Sequence, residues 1–360
     1  GEYNTALGYM SLYTNNANNN TSIGYQALRL NTTGGNNTAV GYQALDANTT
    51  ASDNSAFGYG ALGANTTGTD NTALGFAAME ANTTGSHNTA IGSYCLDSNT
   101  TGNENTALGL SALQANTTGN YNVGIGVSAL NDNTTGSQNV AIGLNALEAN
   151  TTANNNVAIG YFSLDANTTG SANVAMGTNS GLAISTGANN VAIGHNAMKA
   201  QTTASNNTAV GYEALLENVT NTRNTAIGFQ SLAACKDNDN VAVGYYSLLT
   251  ARFGQRNTAV GSYALHLAYD ADNNTAIGYA TLDAATSGDK NTGVGANALT
   301  ALTTGSDNIA IGMNSASVLT TGSDNVIIGS NAGDAQTDAD GNVLIGKDAG
   351  GALQTAAYNV

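Results

Sequence analysis

Apolar residues recur at a fixed spacing along the whole chain. Each unit opens with an Asn, which we number position 1, and carries an apolar residue at position 4, Gly at position 5 and, in most units, Leu or Met at position 9. Successive units are 17 residues apart, except for two steps of 16, from 4 to 20 and from 224 to 240. Two units illustrate these positions together with the Asn at position 12, namely Asn37, Val40, Gly41, Leu45 and Asn48, and Asn139, Ile142, Gly143, Leu147 and Asn150.

This spacing predicts an all-β, parallel β-solenoid, or β-roll, of about 21 coils of 17 residues. Residues that recur once per unit form a stripe only if the chain returns to the same place in every unit. Helical repeats need roughly 33 residues or more, and each unit here contains an internal Gly and an Asn/Thr/Gly turn cluster. No linker interrupts the repeat, so we expect residues 1–360 to form one continuous array, a segment of a longer fibre.

Within a coil, alternation predicts a strand at positions 2–6, a second short extended piece at positions 7–10 and a return turn at positions 11–17. In a strand, side chains 2, 4 and 6 lie on one face and 3 and 5 on the other. We expect the apolar residues of positions 4 and 9 inside a thin roll. Because these side chains are few, we also expect partner chains to pack on the coil, through its Ala and Gly columns.

The Gly and Asn columns have steric and hydrogen-bonding interpretations. Gly41 and Gly143 indicate either a backbone with φ > 0 or another backbone too close for a Cβ. The opening Asn is expected at a corner, in the left-handed region, with its amide in a ladder along the stack. Position 12 exchanges Asn for residues such as Ile184 and Leu302, which indicates a buried site.

Asn-Thr-Thr occurs nine times, from Asn31 to Asn167, always with its Asn at position 12. Each tripeptide is a formal N-glycosylation acceptor. The alternative is an internal ladder of packed Asn side chains, which the substitutions at this position favour.

Composition excludes some classes of partner. Eight Lys and Arg residues and a net charge of -16 disfavour a nucleic-acid footprint and an anionic membrane surface. No apolar run approaches 18 residues, so no membrane insertion is expected. Neutral polar residues with regular apolar columns are typical of extracellular fibres.

Candidate chemistry is sparse, and we predict no enzyme activity, cofactor or metal site. His87, His195 and His266 lie many units apart. Cys95 and Cys235 are interpreted as small buried residues, an interchain disulfide at a symmetry axis being the alternative. Carboxylates recur at position 10, as in the successive pairs Glu80 and Asp97, and Glu148 and Asp165, which we interpret as a solvated acidic stripe, a cation site being the alternative.

Position 6 is often aromatic, for example at Tyr25, Tyr42 and Tyr59. This column is either a packing column or a surface on which saccharides stack. It supplies the predicted surface-binding residues of the chain.

The motif N-[TV]-A-[VI]-G-x-x-A-L resembles the head repeat of YadA-like trimeric autotransporter adhesins. It is more similar to the N-T-A-V-G-Y-Q-A-L-x-x-N-T-T-G arrays of phage-type tail fibre proteins, which residues 41–45 and 48–50 match as written. The units at 325 and 342 resemble an Ala-Gly variant of that array. The adhesin head uses a shorter unit, so this chain inserts residues in the turn. The resemblance implies a left-handed roll, three chains around one axis and a role in attachment.

The sequence therefore predicts a structural, non-catalytic shaft of a homotrimeric phage-type tail fibre, which spaces or presents a receptor-binding tip. The alternative is a bacterial surface adhesin or extracellular filament whose roll itself binds a surface or glycan. Both place the chain outside the cell, on a virion or a cell surface. The predicted partners are other copies of the chain and a cell-surface glycan or receptor. A tailspike-like glycan hydrolase is a weaker third reading.

Overall fold

The structure, a computed structural model, describes residues 1–352 and 357–359. Within these residues there is no helix, and short strands alternate with turns. The chain forms two compact units, Gly1–Thr186 and Gly187–Val360. Each is a parallel β-solenoid with one strand per coil. The predicted fold class is thus confirmed, whereas the left-handed sense and one continuous array over 1–360 stay predictions.

The first unit contains eleven strands of three residues each. They are β1 (Thr5–Leu7), β2 (Thr21–Ile23), β3 (Thr38–Val40), β4 (Ser55–Phe57), β5 (Thr72–Leu74), β6 (Thr89–Ile91), β7 (Thr106–Leu108), β8 (Val123–Ile125), β9 (Val140–Ile142), β10 (Val157–Ile159) and β11 (Val174–Met176). Consecutive strands pair in parallel, with equivalent residues directly opposite each other.

The described part of the second unit contains ten strands built in the same way. They are β12 (Val191–Ile193), β13 (Thr208–Val210), β14 (Thr225–Ile227), β15 (Val241–Val243), β16 (Thr258–Val260), β17 (Thr275–Ile277), β18 (Thr292–Val294), β19 (Ile309–Ile311), β20 (Val326–Ile328) and β21 (Val343–Ile345). Across the 16-residue step from 224 to 240, β14 and β15 keep the same register, so the missing residue is absorbed outside the strand.

Each strand occupies positions 2–4, which is shorter than the predicted span of 2–6. The reason is the Gly at position 5. Gly143 has φ +132, and a Cβ placed on it would lie 2.5 Å from the carbonyl oxygen of Gly160 in the next coil. Both interpretations of this column therefore hold together, because the backbone is in a region favoured by glycine and the next coil is too close for a side chain.

Positions 7–10 form a turn, so the prediction of a second extended piece is wrong. Positions 7 and 9 are left-handed, as in Gln43 at φ 54 and Leu45 at φ 51. Such angles are uncommon for Leu. They persist here because the backbone and the side chain of Leu45 are both held in place. Leu45 N donates to Ala61 O of the next coil at 3.0 Å, and the Leu45 side chain is fully buried.

The core of a coil is formed by positions 3, 8 and 9, represented by Ala39, Ala44 and Leu45, all fully buried. The strand faces follow the predicted alternation, but the small residues lie inside. Position 4 faces outward and is half-buried at Val40 and 36% exposed at Ile142. The expectation of position 4 inside is therefore wrong. An interface on the Ala columns is also wrong, because these side chains are fully buried within the chain, whereas an interface on the partly exposed Gly column stays a prediction.

Two Asn ladders line this core. The backbone N–H of Asn139 donates to Asn122 Oδ1 at 3.0 Å, and Asn150 Nδ2 donates to Asn133 Oδ1 at 2.7 Å. The side-chain amides of Asn139 and Asn150 also share one acceptor, Ala153 O, at 2.9 and 3.2 Å. These bonds satisfy buried polar groups that would otherwise destabilise the coil.

The opening Asn was expected in the left-handed region, and this prediction is wrong. The residue before it, at position 17, takes that conformation, as in Asp53 at φ 62. The side chain of the opening Asn is needed inside for the ladder. The sharp corner is therefore made at position 17, by an exposed residue that is polar in most coils.

Candidate functional site

We call the side chains at positions 4 and 6 the outer apolar face. Phe57, Leu74, Leu108 and Met176 are all exposed members from the first unit, at 39 to 47%. Each occupies the last residue of its strand, and parallel pairing in register stacks it directly over the equivalent apolar residue of the neighbouring strand. Each of the two compact units therefore presents a continuous apolar stripe to its surroundings, a feature that marks interaction surfaces on proteins.

Beside this stripe, the aromatic residues at position 6 form what we call the aromatic ladder. Its members in the first unit are Tyr9, Tyr25, Tyr42, Tyr59 and Phe76, with successive ring centroids 4.9 to 5.3 Å apart and planes within 15° of parallel. A similar stack in the second unit contains His195, Tyr212, Phe229 and Tyr245.

The ladder limits how a sugar could bind to Tyr25, Tyr42 and Tyr59. Both faces of each of these rings are covered by the rings of the neighbouring coils, and only edges and hydroxyls remain accessible. The aromatic column therefore packs on itself. Surface binding at these residues stays a prediction, restricted by the geometry to edge contacts.

The nine Asn-Thr-Thr motifs are built into the interior. Their Asn side chains, from Asn31 to Asn167, are all fully buried. In Asn48, for example, Nδ2 donates to Asn31 Oδ1 at 2.9 Å and to Ala51 O at 3.0 Å. The internal-ladder interpretation is confirmed, and these amides are closed to glycosyl transfer in the folded chain.

The carboxylates at position 10 stack in neighbouring coils as predicted. Partial burial, followed by the charge of Asp165, raises the pKa of Glu148, and burial also raises the pKa of Asp165. Asp97 behaves similarly, since burial and then the charge of Glu80 raise its pKa. These carboxyl groups are thus partly desolvated, so the predicted acidic stripe is only partly solvated.

The His and Cys residues lie apart from any shared centre. His87 Nε2 lies 3.6 Å from Asp70 Oδ2, and His266 Nδ1 lies 3.3 Å from Asp283 Oδ1. Cys95 and Cys235 are free and buried, as expected, and burial raises the pKa of Cys235 to about 11. Over residues 1–352 and 357–359, no three His, Cys, Asp or Glu side chains are grouped so that they could hold a metal ion.

Comparison of the chain with protein-family models and with curated protein sequences gives no match. In the part of the chain that the structure describes, no helix is long and apolar enough to cross a membrane. The fold defines the protein as a parallel β-solenoid repeat protein, and its outer apolar face is the surface on which a functional proposal has to rest.

Proposed function

We propose that this chain is the structural, non-catalytic shaft of a homotrimeric fibre, of the phage-type tail fibre kind, which spaces or presents a receptor-binding tip. One observation carries the proposal: most coils of the described chain leave an exposed apolar side chain on the outer apolar face. In this proposal the outer apolar faces of three copies pack against one another. The extracellular setting and the tail fibre kind rest on the motif at residues 37–50, which resembles those arrays.

The energy of such an interface accumulates along the array. Full burial of an aliphatic side chain contributes about 1.5–3 kcal/mol. Leu74 and Leu108 are 47 and 43% exposed, so covering them contributes roughly 1 kcal/mol each. Association costs about 4–15 kcal/mol, which a single coil cannot offset. The eleven coils of the first unit supply roughly 10 kcal/mol from position 4 alone, and the aromatic ladder adds to it.

The test places charges on this face. Leu74→Asp combined with Leu108→Asp puts two carboxylates where the proposal expects an apolar interface. We expect sedimentation equilibrium to give three chains for the unmodified protein, and at least a 100-fold weaker association for the double variant. Both side chains are exposed in the single chain, so its far-ultraviolet circular dichroism should be unchanged.

A matched control lies in the same two coils. Thr84 and Thr118 occupy position 14, which is exposed in the return turn. The double variant Thr84→Asp, Thr118→Asp adds the same charge and should leave the trimer intact. A monomeric unmodified protein, or equal weakening by both double variants, would remove the basis of the proposal.

The alternative, an adhesin whose roll binds a surface or glycan, is favoured by the exposure of the aromatic ladder. Tyr59, for example, is 48% exposed. Replacing Tyr25, Tyr42 and Tyr59 by Phe keeps the ring stack and removes only the hydroxyls. Loss of binding to a glycan array in this variant would support the adhesin reading, and unchanged binding would count against these residues.

A further inference from the structure

One coil of the first unit has an unusual surface. In coil 54–70, Gly stands at both position 7 (Gly60) and position 10 (Gly63), a combination found in no other unit of the sequence. The two missing side chains leave a cavity of about 230 Å³, which we call the notch. It is lined by Gln43, Asp46, Tyr59, Gly60, Gly63, Ala64 and Glu80.

The backbone does not require Gly at position 60. Gly60 has φ +65, and the equivalent residues Gln43 and Ala77 take φ 54 and φ 52 with side chains present. A Cβ on Gly60 would lie 3.4 Å from Glu80 Cδ, an ordinary contact. The consequence of this Gly is therefore the notch itself rather than a backbone conformation.

The notch carries one negative charge without a partner. Asp46 is neutralised by Arg29, whose Nε and Nη2 donate to Asp46 Oδ1 and Oδ2 at 2.8 and 3.0 Å. No Lys, Arg or His side chain of residues 1–352 and 357–359 forms an ion pair with Glu80. A cation in the notch would gain the attraction of Glu80 at a partly enclosed site.

The remaining lining groups are mostly acceptors. Gln43 Nε2 donates to Gln26 Oε1 at 3.0 Å, and Gly60 leaves Gln43 Oε1 without a donor from the next coil. The Tyr59 ring is covered by Tyr42 at 4.9 Å on one face and by Phe76 at 5.1 Å on the other. A flat aromatic ligand therefore has no ring face on which to stack, whereas a ligand with many hydrogen-bond donors can bind the oxygen acceptors of the lining.

Size and polarity narrow the class of ligand further. The cavity lies below the range of about 300–1,000 Å³ that suits drug-sized molecules, so its occupant is the size of a single sugar or amino acid. Ala64 is the one aliphatic side chain of the lining, which disfavours the long methylene chain of a lysine. A sugar ring bearing hydroxyls and one ammonium group matches the acceptors of the lining better than a lysine side chain does.

We propose that the notch binds an amino sugar, with its ammonium group on Glu80 and its hydroxyls on Gln43 and Tyr59. The proposal does not depend on the chain being a fibre shaft. One site per chain is expected, because only coil 54–70 lacks both side chains.

The experiment is calorimetric titration of the full chain with glucosamine. N-acetylglucosamine and glucose test the ammonium group, and Nα-acetyl-lysine amide tests a peptide source. We expect one saturable site per chain, with glucosamine binding roughly tenfold or more tighter than the other three compounds. Each neutral sugar lacks the charge-assisted hydrogen bond. The lysine derivative keeps its ammonium group, but its methylene chain contacts only one aliphatic side chain, Ala64.

Variants separate the site from general charge attraction. Glu80→Gln removes the carboxylate, and Gly60→Gln fills the notch with the residue type that stands at Gln43. Each should weaken glucosamine binding roughly tenfold or more without altering the circular dichroism. Glu148→Gln, in a coil with Asn145 at position 7, is the matched control and should bind as the unmodified chain does. Absence of saturable binding, equal binding of glucose, tighter binding of the lysine derivative, or full binding by Glu80→Gln would overturn the proposal.

Discussion

Replacing Gly143 by Ala tests the close approach of neighbouring coils. The added Cβ would lie 2.5 Å from the carbonyl oxygen and 2.8 Å from the carbonyl carbon of Gly160, both of them backbone atoms that cannot rotate away. The coil 139–155 and the coil after it must therefore move apart. The nearest bonds at this point are Gly160 N to Ile142 O at 2.8 Å and Phe162 N to Leu144 O at 3.1 Å.

The expected cost has two parts. Forcing an Ala to φ +132 costs about 1–3 kcal/mol. Weakening the two nearby backbone bonds costs about 1 kcal/mol each. We therefore expect a local destabilisation of about 3–5 kcal/mol, which corresponds to amide exchange roughly 100-fold faster or more in residues 139–172.

The assay is hydrogen–deuterium exchange followed by mass spectrometry, because a repeat array opens locally rather than as a whole. Gly60→Ala is the matched control, since its φ is already adopted by Ala77 and its Cβ has room. The control should cost about 1 kcal/mol, the difference between Gly and Ala in the left-handed region. Equal exchange in the two variants would refute the argument that backbone proximity fixes Gly at position 5.

Three further predictions concern the interior and the titrating groups. Asn150→Ala should lower the free energy of unfolding in urea by about 2–3 kcal/mol, because Asn133 Oδ1 loses its buried donor; a negligible change would mean that the ladder contributes little. Burial raises the pKa values of Glu148 and Asp165, and the charge of Asp165 raises that of Glu148 further, so the folded chain holds these protons more tightly than the unfolded chain does. The contribution of this pair to stability should be fully present below the ordinary carboxyl pKa values and be lost as the pH rises through the raised ones, and Asp165→Asn should remove part of this dependence in thermal melts. Cys235, with a pKa of about 11, should resist alkylation at mildly alkaline pH until urea unfolds the chain, and rapid labelling of the native protein would contradict its burial.

The coil, the Gly column and the buried Asn columns could be predicted from the sequence because each repeats a local requirement many times. Exchange of Asn for Ile184 at position 12, for instance, signals burial directly. The turn at positions 7–10 could not be predicted, because Leu45 carries no local preference for φ 51 and is held there by contacts with the next coil.

Two glycines in one coil indicate the notch in the sequence, but the shared pattern of the repeats does not show them. Gly60 and Gly63 fall at positions that vary freely, so averaging over units hides their coincidence in one coil. A site created by the absence of side chains becomes visible only when the surrounding residues, here Tyr59 and Glu80, are placed in space.

Different constraints act on the residue types at the two sides of the strand. Position 3 is small where Leu at position 9 already fills the interior, as Ala39 and Leu45 show, and it is the larger Ile327 where position 9 is Gly333. Position 4 faces outward and is half-buried or exposed, yet it is apolar in every unit. Other exposed positions behave differently, since position 17 carries residues as varied as Asp53, His87 and Gln138. An outward-facing column that remains apolar beside exposed columns that do not favours a contact from outside the single chain, which is the contact that the proposed trimer would supply.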